Sequence, residues 1–546
     1  MRNVSTFGSF TTARLGIYAA QKGLEVTGNN ITNINTTGYT RQRLDQISFV
    51  GGGADYYAAP FGIKVGNGVL TTGVSQLRDP FLDIAYRNAE TNVGEADSKL
   101  AGLEDIAQVL DEVGSGEDEN GVIYQQFQIL ADRISQMITE GTGHDEYESL
   151  VRSAASTLTD LFRTYANELQ EKFENQEVSL QQDVDAVNGI LKNIQELNEN
   201  IRKADIRGDS ALELRDQRNL ELDKLSQYMK IDVKYEMEDA GAGTMVEKLT
   251  ITIADTDPLV YPEGIKLVDG LYTSQLSVEM GNNYDITRGQ LTDKNGVPQK
   301  GSDPLKLDDN LLQGSLQASR ELLTEKGEFS TAEEAAADPE ATTKRGYPYY
   351  MKSLDLLANT FADIMNNANT FTVDGKTYGG ALFSNSSDGN NTDGITAANI
   401  SISKNWSVGD VKLLTSKDPN AASGATDNLA HIFAQLTSGR HEFVPSEVAA
   451  DATNTPLFTG TFQDMFLNIQ SVLANDISST TVVLQNHVTT ANEIYVDRDS
   501  ISGVDLNDEA TNMMQYQKAY TAACRLMTTL DEALDKLING TGVVGL

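Results

Sequence analysis

Four histidines are the residues of this 546-residue chain best suited to acid–base or metal chemistry. Their neighbours decide whether they perform it. His144 stands beside Asp145 and Glu146 in a predicted loop. His441-Glu442 opens like the HExxH of a zinc protease, but Pro445 occupies the place of the second His and would break the helix that geometry needs. His431 and His441 could in principle form a metal pair, yet no Cys, Asp or Glu arrangement completes it, so both read as surface histidines. Gly51-Gly52-Gly53 has no Lys-Ser/Thr behind it and opens no helix, so it cradles no phosphate. There is no G-x-S-x-G elbow. Trp406, Tyr347, Tyr349 and Tyr350 read as packing anchors, and the lone Cys524 as a small buried hydrophobe. No catalytic, cofactor or metal residue is assigned, and the chain reads as a non-enzyme.

The sharpest local signal is Gly28-Asn29-Asn30-Ile31-Thr32-Asn33-Ile34-Asn35-Thr36-Thr37-Gly38-Tyr39-Thr40-Arg41. Asn is a poor helix-interior residue because its amide competes for backbone groups. Its repetition on an apolar-striped stretch predicts that these amides serve contacts outside their own helix. The element that positions them is a helix: Phe10, Ala13, Ile17, Ala20, Leu24, Thr27, Ile31 and Ile34 recur in steps of three and four. Over residues 10–34 that helix would be roughly 37 Å long, and its stripe requires a partner. The partner is at the other end of the chain. Leu506, Ala510, Met513, Gln517, Tyr520, Cys524, Met527, Leu530, Leu534 and Leu537 form a second stripe, with Asp505 or Asn507 to cap its start and Asn539-Gly540 to end it.

Composition narrows the class. The length suggests about three or four structural units, and 39% hydrophobic residues suffice for several cores. Lys and Arg number 42 against 79 Asp and Glu, a net charge of −37. That excess argues against nucleic acid or an anionic membrane as a partner; apart from Glu117-Asp118-Glu119 the acids are dispersed, as solubility requires. Met1 to Thr6 lacks a basic start followed by an apolar core, and no window approaches a membrane span.

Between the ends, the Thr36–Tyr39 turn leads to a β excursion through Leu44, Ile47, Phe49, Ile63, Val65, Val69, Leu70 and Val74. Asp79-Pro80 then opens a helix. Helical periodicity continues to Tyr228, including one very long stripe from Leu150 to Ile201. After Ile231 the period falls to two, predicting a β-rich module that ends near Asp309. Helix returns at residues 311–323 and 348–371, separated by the low-complexity loop AEEAAADPEATTK. Residues 372–456, rich in Gly, Asn, Ser, Thr and Asp, read as a second outward module or long loops. Helix resumes from Thr461 to Tyr495.

The expected fold is therefore mainly α with inserted β-rich modules, in an elongated multidomain protein. Residues 1–45 with 503–546 form a terminal assembly domain. Residues 46–230 with 311–371 and 457–502 form a helical core that includes the β excursion, 231–310 a β-rich outer module, and 372–456 a variable outer module or loops.

The Asn-rich segment resembles the N-terminal signature of bacterial flagellar axial proteins, the rod, hook and hook-associated proteins, with its Asn-Asn-Ile-Ala-Asn-x-Asn-Thr-x-Gly-Tyr pattern. Thr32 stands for the usual Ala and Thr37 for the common Pro. Val504-Asp505-Leu506-Asn507-Asp508-Glu509-Ala510 with Gln515-Tyr516-Gln517-Lys518-Ala519-Tyr520 resembles the matching C-terminal signature. Leu214-Arg215-Asp216-Gln217-Arg218, Gly346-Tyr347-Pro348, Leu354-Asp355 with Ala358, and the overall length are most similar to the hook-associated members. The resemblance is strong at both termini and moderate in the helical core. Residues 231–309 and 372–456 inherit nothing from it.

The resemblance implies terminal helices paired as a coiled coil that lines a tube, with a helical shell and β modules outside it. It implies a structural subunit at the hook–filament junction that packs heterologously with copies of itself and templates filament growth. The implied partners are hook protein, a second junction protein or flagellin, and a cytoplasmic export chaperone at the C-terminal helix, without nucleic acid or membrane. Export without a cleaved signal peptide, by a type III route, would place it outside the cell on the flagellum. The implied assembly interface comprises Ile17, Ala20, Leu24, Asn29, Asn30, Ile31, Asn33, Asn35, Gly38, Tyr39, Leu506, Met513, Tyr516, Tyr520, Met527, Leu530 and Leu534. Another axial subunit (hook, rod or flagellin-like) is the nearest alternative, followed by a secreted coiled-coil adhesin and an enzyme carried on this scaffold.

Overall fold

The computed structural model describes residues 6–49, 68–110, 121–140, 145–241, 243–281, 283–307, 311–422, 424–445 and 456–540. Met1 to Ser5, Gly51-Gly52-Gly53, Ile63, Val65, Glu117-Asp118-Glu119 and His144 lie outside the described residues.

The chain begins with helix α1 (Thr6–Thr32), the hairpin β1 (Gln42–Ser48) and β2 (Val69–Gln76), and helices α2 (Pro80–Leu110), α3 (Val122–Glu140), α4 (Asp145–Ile206) and α5 (Leu212–Tyr228). Seven strands follow: β3 (Ile231–Asp239), β4 (Met245–Ile253), β5 (Ile265–Asp269), β6 (Tyr272–Thr273), β7 (Leu276–Val278), β8 (Ile286–Arg288) and β9 (Leu305–Lys306). Helices α6 (Gly314–Thr324), α7 (Ala332–Ala337) and α8 (Tyr347–Ala368) precede the short strands β10 (Thr370–Val373), β11 (Lys376–Gly379), β12 (Phe383–Ser384) and β13 (Ser401–Ile402). Then come α9 (Lys404–Val408), α10 (Asp427–Thr437), β14 (His441–Phe443), β15 (Phe458–Gly460) and the two closing helices, α11 (Phe462–Ser502) and α12 (Leu506–Asn539). The architecture is elongated and mainly α, with small antiparallel sheets set into it.

Helix α4 is the spine. Its 62 residues span roughly 93 Å at 1.5 Å per residue, and Asp145, Glu146 and Glu148 in its first turn and Lys203 in its last suit the helix dipole. Its N-terminal half packs against α3, α8 and the start of α11 in one apolar core. Phe127 is fully buried there, edge-on to Phe162 and Phe361 at 6.2 and 5.4 Å and stacked on Phe462 at 5.7 Å. Its C-terminal half joins α5, α6 and the β-rich module in a second core. Phe173 stands between the two, 6.1 Å from Tyr347 and 6.3 Å from Tyr284.

In the module, β3-β4-β5-β6 and β7-β8-β9 form two antiparallel sheets. The period-two pattern is explained by register: Ile231, Val233 and Tyr235 lie opposite Ile253, Ile251 and Leu249. One face of β4 packs on α4 and its alternate residues are more open.

Four expectations need correction. Residues 372–456 do not form an outward module where they are described. Trp406, 1% exposed, lies in the first core with Phe383, Leu429, Ile432, Leu436 and Phe443, and the buried Glu148 carboxylate accepts from Trp406 Nε1 at 3.3 Å and Leu413 N at 3.1 Å. Gly and Asn richness marks tight turns here, and the few large apolar residues carry the packing. His441 is not a surface residue: it stacks on Phe462 at 4.4 Å, with Nε2 2.9 Å from the Gln435 carbonyl oxygen, and burial lowers its pKa. His431 is exposed. Part of the expected loop AEEAAADPEATTK is the helix α7, because Thr331 and Glu334 form a reciprocal capping box. Cys524 is half-buried rather than buried. Tyr347, Tyr349 and Tyr350 are packing anchors, all fully buried.

Candidate assembly interface: the terminal helix pair and its neck

Helices α1 and α12 pack along each other in antiparallel fashion: Gly16 lies by Ala523, Gly23 by Tyr516, and Arg41 by Glu509. The buried edge of α1 is built from small residues, Ala13, Ala19, Ala20, Gly23 and Thr27. The Tyr516 ring fills the notch at Gly23, where an added Cβ would stand 2.5 Å from ring carbons. Asp505 caps α12 by accepting from Asn507 N and Asp508 N. The β1–β2 hairpin folds back along α1, with Gly68 against Thr12, and so accompanies the terminal helices although the sequence grouped it with the helical core.

The implied interface residues divide. Ala20 is buried, and Ile17, Leu24 and Ile31 are half-buried on α1; Tyr516, Tyr520, Met527, Leu530 and Leu534 are half-buried on α12, which packs chiefly on α1. Leu506 and Met513 are more open, 53% and 36% exposed. Met514, Leu526, Leu537 and Ile538 are further exposed apolar side chains of α12.

Asn30, 1% exposed, shows what one of the asparagines does. Its Nδ2 donates to the Gln42 carbonyl at 2.9 Å, while its Oδ1 accepts from Gln42 N at 3.0 Å and Tyr39 OH at 2.9 Å. It thus pins the start of β1 to the end of α1. Asn29 Nδ2 reaches Gln42 Oε1 and Glu213 Oε1, both at 3.4 Å. Asn33 instead donates back to Asn29 within the helix end, at 3.0 Å to its carbonyl and 2.9 Å to its Oδ1. Gly38 has φ of 78°, and Leu220 lies against the face where its Cβ would be. Asn35 and Gly38 are exposed on the turn and Tyr39 is half-buried. Asn30 is occupied inside the chain, where it holds this turn.

Below the turn, charged groups line the joint between the terminal pair and the body. Arg41 Nε donates to Glu509 Oε1 at 2.8 Å, and Arg41 N to the Ser502 carbonyl at 2.8 Å. Asp216 Oδ2 accepts from Thr40 N at 3.1 Å. Arg78 grips Asp83 through two bonds of 3.0 and 2.8 Å and approaches Asp216 at 3.7 Å. Arg498 pairs with Asp223 at 2.7 Å, Arg87 reaches the same carboxylate at 2.9 Å, and the Arg498 guanidinium lies 3.9 Å from the Tyr86 ring centroid. A cavity of about 380 Å³ between the Asn33–Thr40 turn, α5 and the end of α11 adjoins these groups. Sequence reasoning missed Arg78, Asp83, Asp223 and Arg498. Asp216 was visible only within Leu214–Arg218, whose arginines turn the other way, Arg215 to Asp205 at 2.9 Å and both to Glu247.

Burial outweighs the Thr40 hydrogen bonds and the Arg78 charge and lifts the Asp216 carboxyl to about 6. The folded value then stands above the unfolded value of about 3.9. Folding takes up a proton between the two, so this group's stabilising contribution is full below about pH 4 and lost as pH rises through about 6. Carboxyl NMR should give Asp216 a midpoint near 6, and Asp216→Asn should flatten that limb of the stability profile. A midpoint below the ordinary aspartate value would refute the assignment.

Comparison with known proteins agrees with this arrangement. Residues 116–383 match the flagellar hook-associated protein FlgK helical domain, residues 10–40 the flagella basal body rod protein family, and residues 498–540 the flagellar basal body rod FlgEFG protein C-terminal family. Flagellar hook-associated protein 1 of Bacillus subtilis is 29% identical over 99% of both chains. The Salmonella typhimurium protein of the same name is 21% identical over 96% of this chain and 98% of its own. The flagellar hook junction protein FlgK from Burkholderia pseudomallei has a similar fold, with a TM-score of 0.52 and 12% identity over 77% of this chain and all of that one. With both ends and the helical centre matched in order, the chain is similar from end to end to flagellar hook-associated protein 1 and is a structural subunit of the bacterial flagellum.

Proposed function

We propose that this subunit forms the junction between hook and filament, joining hook protein on one side to a second junction protein or flagellin on the other. The observation that carries this reading is the end-to-end similarity to flagellar hook-associated protein 1. The subunit has no catalytic chemistry. Copies pack heterologously through the terminal helix pair, placing Leu506, Met513, Leu526 and Leu537 of one copy against the next, with the helical body around that tube. The chain leaves the cell by the flagellar export route, accompanied by a chaperone on α12 whose exposed apolar residues favour aggregation.

Electron microscopy of cells lacking the gene, with flagellin assayed in the medium, tests the role. Bare hooks with flagellin outside are expected. Absence of hooks would move the subunit inward to rod or hook, and normal filaments would overturn the junction reading. At the residue level, Leu24→Ala and Met527→Ala remove half-buried side chains from the pair, each worth about 1 kcal/mol. Incorporation into the junction should fall roughly fivefold for each, with the unfolding midpoint of the body unchanged. Normal incorporation of both variants would count against the interface.

A further inference from the structure

The joint between the terminal helix pair and the body is built differently from the rest of the molecule. The apolar cores that run along α4 contain no described residue of α1, the β1–β2 hairpin or α12. What crosses the neck is polar: Thr40 N and Arg78 meet Asp216 on α5, and Arg41 N meets the Ser502 carbonyl, with ion pairs fixing the helix ends on either side. Arg41 reaches from the end of the turn to Asp508 and the 2%-exposed Glu509 on α12, and Thr40 beside it meets Asp216 on α5. Arg78 links Asp216 to Asp83, and Arg498 links Asp83, at 3.7 Å, to Asp223. Breaks in the backbone coincide with the network: α11 and α12 are separated at Gly503 to Asp505, and α1 and α2 by the turn and hairpin. The Arg41 N–H bond to the Ser502 carbonyl ties the two breaks together.

Apolar cores and ion networks fail differently. A core opens only by exposing area to water, whereas a part-buried ion network weakens when its geometry is lost or its charges are screened. We propose that the neck is an electrostatic latch: Arg78 on Asp83 and Asp216, with Thr40 N on the same Asp216 carboxylate, docks the terminal helices and their hairpin on the body, and breaking those contacts lets the helices swing as an intact antiparallel pair. The pair has its own closure, with the small-residue edge of α1 against Tyr516 and Ala523, so its packing does not depend on the latch.

The test uses the full chain labelled with spin probes at the native Cys524 and at Gln485→Cys, an exposed position on α11. In low salt, near 0.01 M where the Debye length is about 30 Å, the distance distribution should be narrow. Arg78→Gln should shift and broaden it, Asp216→Ala should do so as well, and about 1 M salt should broaden the parent protein. Helix content by circular dichroism, and amide protection of α1 around Ala20 and Gly23, should stay at parent levels. The latch is overturned by an unchanged distribution in both variants, by a parent distribution already broad in low salt, or by loss of helix protection along with broadening. The last outcome would mean that the network holds the pair together rather than docking it.

Discussion

Phe127→Ala should lower the unfolding free energy of the helical body by about 3–5 kcal/mol, the range for deleting a fully buried aromatic ring from a core that cannot collapse around the gap. The ring meets Phe162, Phe361 and Phe462 at 6.2, 5.4 and 5.7 Å, and aromatic pairs add about 0.5–1.5 kcal/mol each beyond their area. A domain's stability is typically about 5–15 kcal/mol, so the variant should sit near the edge of folding. The measurement is direct because the single Trp, Trp406, occupies the same core, 5.8 Å from Phe383, which lies 4.8 Å from Phe361. Urea titration followed by its fluorescence should show the loss as an earlier midpoint. A change below about 1 kcal/mol, the size of a typical surface effect, would show that the aromatic cluster does not hold this core.

The same cluster shows where sequence reading works and where it stops. Phe127, Phe361 and Phe462 each fall on a strong helical stripe, so their burial was legible, as were α4, the Asp79-Pro80 start of α2 and the Asp505 cap of α12. Periodicity registers which side of a helix is apolar. It does not register short elements whose burial comes from one large residue each, which is why Trp406 on α9 and Phe443 on β14, in a Gly/Asn-rich stretch, were placed outside the body that they help to fill. His441 was misplaced for the same reason, since its stacking partner Phe462 is far along the chain.

At the terminal pair the apolar stripes were legible and their function was only half so. Ile17, Leu24 and Ile31 are regular in sequence, yet the tightest approach of α1 uses the small residues between them. Small residues carry no apolar signal and become informative only when a partner ring is placed over them. The asparagines announced a role outside the helix correctly for Asn30 and Asn29, because a buried amide needs partners; Asn33 satisfies itself locally. The neck network was illegible because Arg41 and Glu509, or Asp83 and Arg498, are separated by most of the chain.

Gly23→Ala should separate the two effects that a glycine at a helix contact combines. In a helix interior, replacing Gly by Ala is favourable by about 1 kcal/mol. Here the new Cβ would stand 2.5 Å from two ring carbons of Tyr516 and 2.7 Å from a third, and overpacking of that kind costs about 1–3 kcal/mol. The net expectation is a loosened pair, seen as faster amide exchange in α1 and α12 with the body unchanged. Gly23→Leu, which the same notch cannot admit without driving the ring aside, should abolish assembly into the flagellum. Tyr516→Ala decides the mechanism, because it removes the ring that the Cβ meets. In that background Gly23→Ala should become stabilising by its helix propensity, reversing sign relative to the parent, a coupling that a double-mutant cycle reads directly. Gly23→Ala destabilising by the same amount with and without the Tyr516 ring would mean that something other than this notch requires glycine, and the antiparallel register of the pair would have to be redrawn.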